Sequence, residues 1–213
     1  MFKSAAICMF LVYSHIGTVA ALPHDESTGT PSKPPGHRSA CFITGKFAIP
    51  EDVVINPHVH CLGKQPGVYD GVPEVYVDNS GFSVQRLTFS RVRFQVEGLN
   101  LSPVGFAWSF FTPETRDEQV TTRLESVLAV YLATNAGLRS LGPKMHSEVA
   151  KIKGPCFYLE FQLAISQGKL DVAAHKLRKV LKNCVECKHG EKEKVIQEAK
   201  NHGVAVPASS SPK

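Results

Sequence analysis

The chain predicts an α+β fold: a mainly antiparallel sheet packed against one long helix, with a second helix toward the C-terminus and disulfide staples. Three observations carry this expectation. Short apolar runs broken by Gly, Pro, Asn and Asp give residues 40–112 a β texture. A capping-box sequence at Thr115 then opens a long stripe of apolar residues at helical spacing. A second such stripe, with lysines over its remaining surface, covers 169–184. Strands, helix, strands, helix is the element order of an α+β domain.

The order along the chain begins with a leader. Met1-Phe2-Lys3 supplies one positive charge, an apolar run extends from Ala5 to Ala21, and it closes on the small residues Thr18-Val19-Ala20-Ala21. That is the layout of a secretory signal peptide over residues 1–21, so the mature chain is expected to start at Ala21 or Leu22 and to be extracellular. No comparably long apolar run follows, and no transmembrane segment is expected in the mature chain. Residues 22–40 are rich in Pro, Ser, Gly and charge, with almost nothing apolar, and read as a flexible arm.

A single domain is expected over 41–203. Cys41 to Phe47 reads as its first strand, and Val53-Val54-Ile55 and Val59-His60-Cys61 as short apolar pieces around an Asn56-Pro57 turn. Gly63 to Gly67 reads as a loop, Glu74 to Val77 as a strand and Asp78-Asn79-Ser80-Gly81 as a tight turn. Between Phe82 and Leu99 the apolar residues change parity twice, which places breaks near Gln85-Arg86 and at Ser90. Val104 to Phe111, with aromatics at alternate positions, reads as another strand.

Thr115-Arg116-Asp117-Glu118 fits a capping box, and Val120, Leu124, Val127, Leu128, Tyr131 and Leu132 form the helical stripe behind it. Asn135-Ala136-Gly137 reads as its stop. Glu148 to Lys153 and Pro155 to Leu163 read as two strands joined at Gly154, the second with one apolar face. A helix then covers about Lys169 to Cys184 and a short one Glu191 to Lys200, before a disordered tail over 204–213.

Bulk composition bounds the function. The chain is 43% hydrophobic and 20% charged, which is globular rather than disordered. The net charge of +5 falls by one when Lys3 leaves with the leader. So mild a charge permits an anionic surface or nucleic acid as partner without requiring either. Gly-x-Ser-x-Gly, His-Glu-x-x-His and phosphate-loop sequences do not occur, and no cofactor or metal is expected.

Of six cysteines, Cys8 lies in the leader. The remaining odd set predicts two bridges and one thiol. Cys41 with Cys61, bracketing the first β segment, is the natural first pair. Cys184 continues the apolar stripe of its helix, where the strand bearing Cys156 can meet it. Cys187 is then the candidate free thiol, with Cys184 the alternative. Cys184-Val185-Glu186-Cys187 is also a C-x-x-C. It falls at the C-terminal end of a helix, where the dipole raises a thiol pKa, so a structural reading outranks redox or zinc chemistry.

Candidate binding residues are cationic. Arg91 and Arg93 share one face of an extended segment, with Arg86 nearby and Trp108 and Phe106 as aromatic neighbours, a pattern suited to a polyanion. The helix face bearing Lys176, Arg178, Lys179 and Lys182 suits an acidic protein or anionic lipid. For each of these the competing reading is a solvated face. His58 and His60 alternate beside Cys61 and have a metal reading, with an exposed strand end as the preferred one. Asn100-Leu101-Ser102 is a glycosylation sequon followed by Pro103.

Tyr158-Leu159-Glu160-Phe161 resembles the Tyr-x-Glu-aromatic strand of small secreted fungal ribonucleases. The resemblance implies Glu160 as general base with Arg91 or Arg93 and His58 beside it. It spans four residues, and the proline that follows in that family is Gln162 here. As a whole, the leader, the arm and one small cysteine-containing α+β domain resemble secreted effector-type proteins of plant-associated fungi. That likeness implies a non-enzymatic protein that binds a host molecule or another extracellular protein. A ribonuclease-like hydrolase and a lipid or small-ligand carrier are the alternatives.

Overall fold

A computed structural model describes residues 40–50 and 56–207. The expected leader, arm residues 22–39, the piece Val53-Val54-Ile55 and tail residues 208–213 lie outside the described residues.

The fold is α+β. Strands β1 (His60–Pro66), β2 (Pro73–Asp78) and β3 (Arg86–Thr88) form an antiparallel sheet in that order. Tyr76 is the register point, opposite His60 on one side and Thr88 on the other. Val75, Val77 and Leu87 turn into the core. The β1–β2 register shifts between Cys61 and Pro66, so the Gly/Pro-rich piece expected as a loop is an irregular half of β1. The Asn79 to Gly81 turn has Asn79 at φ 52 and Gly81 at φ 73, the conformation those residue types tolerate best.

The second parity break, at Ser90, is a single helical turn, α1 (Phe89–Val92). Glu74, buried in β2, accepts the Ser90 N–H at 2.9 Å and so satisfies one of the orphan amides at its start.

Cys41 to Phe47, expected as a strand, forms turns. Its amides go to the end of a helix instead. Gly45 N–H donates to Ser140 Oγ at 3.0 Å and Phe47 N–H to the Ser140 carbonyl at 3.1 Å. Phe42 is fully buried there.

Five longer helices follow the small one among the described residues. α2 (Pro103–Phe111) replaces the expected strand over Val104 to Phe111. Ser102 caps it by accepting the Gly105 N–H at 3.0 Å, and Pro103 occupies the first helical position.

α3 (Glu118–Ser140) is the long helix against which β2 and β3 pack. Its cap is Asp117, which accepts the Val120 N–H at 2.8 Å, while Thr115 steadies the Asp117 carboxylate. The helix runs through the expected stop at Gly137. A Cβ there would lie 2.7 Å from Val72 Cγ1 and 2.8 Å from the Phe42 carbonyl, so that glycine serves close approach rather than termination. The stop comes at Gly142-Pro143, which opens a short 3-10 turn (Pro143–Met145).

α4 (His146–Ser166) replaces the two strands expected over Glu148 to Leu163. It packs against α2, α3 and α5 (Leu170–Lys182). Residues on nearly all its sides are buried, among them Ile152, Cys156, Tyr158, Leu159, Phe161 and Gln162. A helix covered all round shows no amphipathic stripe, which is why alternation mimicked a strand. Pro155 sits inside it, removing one intrahelical donor. A Cβ at Gly154 would lie 2.6 Å from Val104 Cγ2 of α2 and 3.0 Å from the Asn183 carbonyl after α5.

α6 (Glu191–Asn201) ends the series. Val204 is buried and Val206 packs against the core, so folded chain continues past residue 203, where the tail was expected to begin. No helix among the described residues is long and apolar enough to cross a membrane.

The Gly154 contacts yield a test. Gly154→Ala forces a methyl group against Val104 and a backbone carbonyl, and is expected to lower stability by about 1–3 kcal/mol in denaturant titration. An unchanged midpoint would show that α2 and α5 do not approach α4 this closely.

Candidate functional site

α5 presents the clearest surface chemistry. Ala173, Ala174, Leu177 and Val180 are buried, which fixes the opposite face outward. Val172, His175, Lys179 and Lys182 recur on that face at spacings of three and four, with Arg178 beside them. Between Lys169 and Lys182 the chain carries five lysines and arginines against the single acid Asp171.

Two of the cations are shaped by α4. The Lys176 ammonium pairs with Glu160 at 2.7 Å, both side chains being about one-quarter exposed or less. Phe157 lies beneath Lys179, whose nitrogen is 5.2 Å from the ring centroid, and Lys176 stands 6.0 Å from the same ring. Arg178 and Lys182 are exposed and have no ion pair among the described residues. Leu170 and Val172 add exposed apolar surface at the start of the helix, at 42% and 44% exposure.

Arg91 and Arg93 are exposed, but on α1 and just beyond it, against α3 and β2, whereas α5 packs on α4 and α6. The four expected binding residues therefore divide into two surfaces. Arg86 is committed elsewhere, 3.5 Å from Asp78 and 4.7 Å from the Tyr76 ring centroid.

Glu160 lies on a helix, not on the strand that the ribonuclease resemblance rests on, and its partner is Lys176 rather than an arginine and a histidine. His60 lies against the Tyr76 ring, and Cys61 is bonded, so the His58–His60 pair gains no third ligand; no metal-ligating trio occurs among the described residues. Asn100 is exposed, but Ser102 of the same sequon is buried as the α2 cap.

The cysteine assignment needs correction. Cys41 and Cys61 are bonded, closing a sequence separation of 20. Loop closure of that order contributes roughly 3 kcal/mol. Cys184, however, is bonded to Cys187, and Cys156 is the free thiol among the described residues. The expected Cys156–Cys184 bridge assumed a strand facing α5. On α4, Cys156 is instead buried, where an Asn135 hydrogen bond reaches it. Burial pushes this thiol far above its ordinary range, the Glu160 charge adds to that, and Asn135 only partly opposes it.

A second polar centre went unread in the sequence. Arg116, just before α3, donates from Nη1 to the Gln162 carbonyl at 3.3 Å and to Ser166 Oγ at 3.1 Å. Its Nη2 donates to Gln162 Oε1 at 3.0 Å and Glu198 Oε1 at 3.3 Å, and lies 3.0 Å from His202 Nε2. Gln162 in turn donates to the Tyr158 hydroxyl at 2.7 Å, which also meets Thr112 Oγ1.

Burial lowers the Arg116 pKa and Glu198 opposes that shift; burial raises Tyr158. Both terminal nitrogens of Arg116 are committed to protein acceptors. The cluster therefore ties α6 to α4 and does not offer itself to an anion. In the sequence, Arg116 was hidden as an interior letter of the capping box.

A small open cleft between α2 and α6 is lined by Leu101, Gly105, Trp108, Ser109, Glu191 and Lys194, whereas a carrier cavity was expected between sheet and long helix.

Residues 43–203 match the family model described as domain of unknown function (DUF7143). No curated protein and no solved structure matches the chain.

The free-thiol assignment is open to a direct check. Without reductant, native protein prepared from Leu22 onward, and so without Cys8, should take up no iodoacetamide at pH 8. Denatured protein should take up one label, at Cys156, because the thiol regains a pKa of about 8.5 on unfolding. A label on Cys184 or Cys187 in either state would reject the pairing.

Proposed function

The chain belongs to the DUF7143 family, and we propose that it is a secreted, non-enzymatic interaction protein that engages an acidic protein partner through the outer face of α5. The observation that carries this reading is the cluster of cations on that face, exposed Arg178 and Lys182 with the partly buried Lys179 between them, none of which has an ion pair among the described residues. Unpaired cations on one rigid helix attract an acidic surface at long range, and Leu170 and Val172 supply apolar contact once it arrives. Glu160 and the Phe157 ring hold Lys176 and Lys179 in place, which reduces the ordering cost of binding.

Secretion is supported by the leader-like first residues and by two disulfides, which persist in oxidising compartments. The likeness to effector-type proteins fits a partner belonging to a host.

Immobilised polyglutamate is a suitable acidic probe at low ionic strength. Arg178→Glu combined with Lys182→Glu is expected to weaken retention at least about tenfold, while Arg91→Ala with Arg93→Ala leaves it nearly unchanged. Equal retention of wild type and the α5 variant removes the reading. Retention on single-stranded nucleic acid but not on polyglutamate would replace the acidic protein with a nucleic acid. Secretion is checked by intact mass of protein from the culture medium, expected to begin at Ala21 or Leu22; only full-length intracellular protein would contradict it.

A further inference from the structure

The Cys184–Cys187 bridge does not look like a staple. Its sequence separation is 3, so it joins nothing distant, whereas Cys41–Cys61 ties the N-terminal turns to β1. Both cysteines are partly exposed, in the turn between α5 and α6. Inside the ring, Glu186 is exposed and held at φ 56, a left-handed conformation that strains a non-glycine residue.

The surroundings of the two sulfurs differ. Cys187 Sγ lies 3.5 Å from Ser102 Oγ, the cap of α2. That oxygen already accepts the Gly105 N–H at 3.0 Å, so its own proton is available to the sulfur. The sequence put this motif at the C-terminal end of one helix, where the dipole disfavours a thiolate. The fold brings its second sulfur to the N-terminal end of another, where the dipole favours one. The Glu191 carboxylate at the same end opposes a thiolate, but its two oxygens accept the Ser102 N–H at 3.1 Å and the Lys188 N–H at 2.8 Å.

We propose that Cys184–Cys187 is a thiol–disulfide exchange site that takes electrons from small external thiols, and that Cys41–Cys61 is not. A thiolate R–S⁻ attacks Cys184 Sγ. The new R–S–S bond forms as the Cys184–Cys187 bond breaks, and the electron pair leaves on Cys187, where the Ser102 hydroxyl donates to it. A second R–S⁻ attacks the R-side sulfur of the mixed disulfide, releasing R–S–S–R and the Cys184 thiolate. The two cysteine thiolates take up the two protons lost by the thiols. Two thiols are oxidised and one protein disulfide is reduced.

The test equilibrates the folded protein in glutathione buffers of graded reduced-to-oxidised ratio, followed by alkylation and peptide mass analysis. Cys184 and Cys187 should be labelled at ratios at least about tenfold less reducing than those needed for Cys41 and Cys61. Reduction of both bridges together, or only on unfolding, overturns the proposal. Ser102→Ala supplies a kinetic arm. If the hydroxyl stabilises the departing sulfur, the variant is reduced several-fold more slowly. If Ser102 acts only on stability, the loosened variant is reduced as fast or faster, and the assigned leaving group is wrong.

Discussion

The structure depends on how closely three helices approach α4. This helix has α2, α3 and α5 around it, and at Gly154 two of the three chains come within the space a single Cβ would need. That approach lets Val104 and Asn183 meet the α4 backbone, and it sets where α2 begins and where the α5–α6 turn lies. The turn in turn places Glu191 across the start of α2, where its carboxylate accepts amides from both segments. One set of polar side chains inside this arrangement finds partners in series: Thr112, Tyr158, Gln162, Arg116 and Glu198 satisfy one another from the end of α2 to α6. The sheet is comparatively peripheral, resting on α3 through Val75, Val77 and Leu87.

How much of this was legible follows from burial. α3, α5 and α6 each keep a wet face, so helical spacing is written into them, and α5 and α6 fall within a residue or two of where the sequence puts them. β2 has flanking turn residues and two inward valines, and it too was readable. α4 was not, because a helix buried on nearly all its sides loses its period, and Gly154-Pro155 reads as a break when the glycine is there to admit a neighbour. α2 carried a usable signal that its alternating aromatics outweighed: Ser102-Pro103 is a cap followed by a favoured first helical residue. Cys41 to Phe47 has strand-like composition, but its amides are claimed by Ser140, a tertiary contact that no local pattern encodes.

The candidate surface divides in the same way. The cationic stripe of α5 is a local pattern and was visible, whereas the pairing of Lys176 with Glu160 required α4 to be a helix. The cysteine pairing failed for the same reason. Once Cys156 sits on a covered helix beside Asn135, Cys184 is left with its near neighbour, Cys187. The odd count of cysteines was informative; their connectivity was not, since connectivity is a property of the fold.

Ser102 carries one more consequence. It is the hydroxyl residue of the Asn100 sequon, and in the folded chain it is 1% exposed, with its oxygen occupied by the Gly105 amide. A transferase that must read Asn, its neighbour and the hydroxyl together in extended form meets that hydroxyl only while α2 is unmade. If the chain is secreted, sugar on Asn100 would therefore be a matter of timing as well as of sequence. The fraction of chains carrying it would record how long this segment stays open after synthesis, before the helix closes over its own acceptor motif.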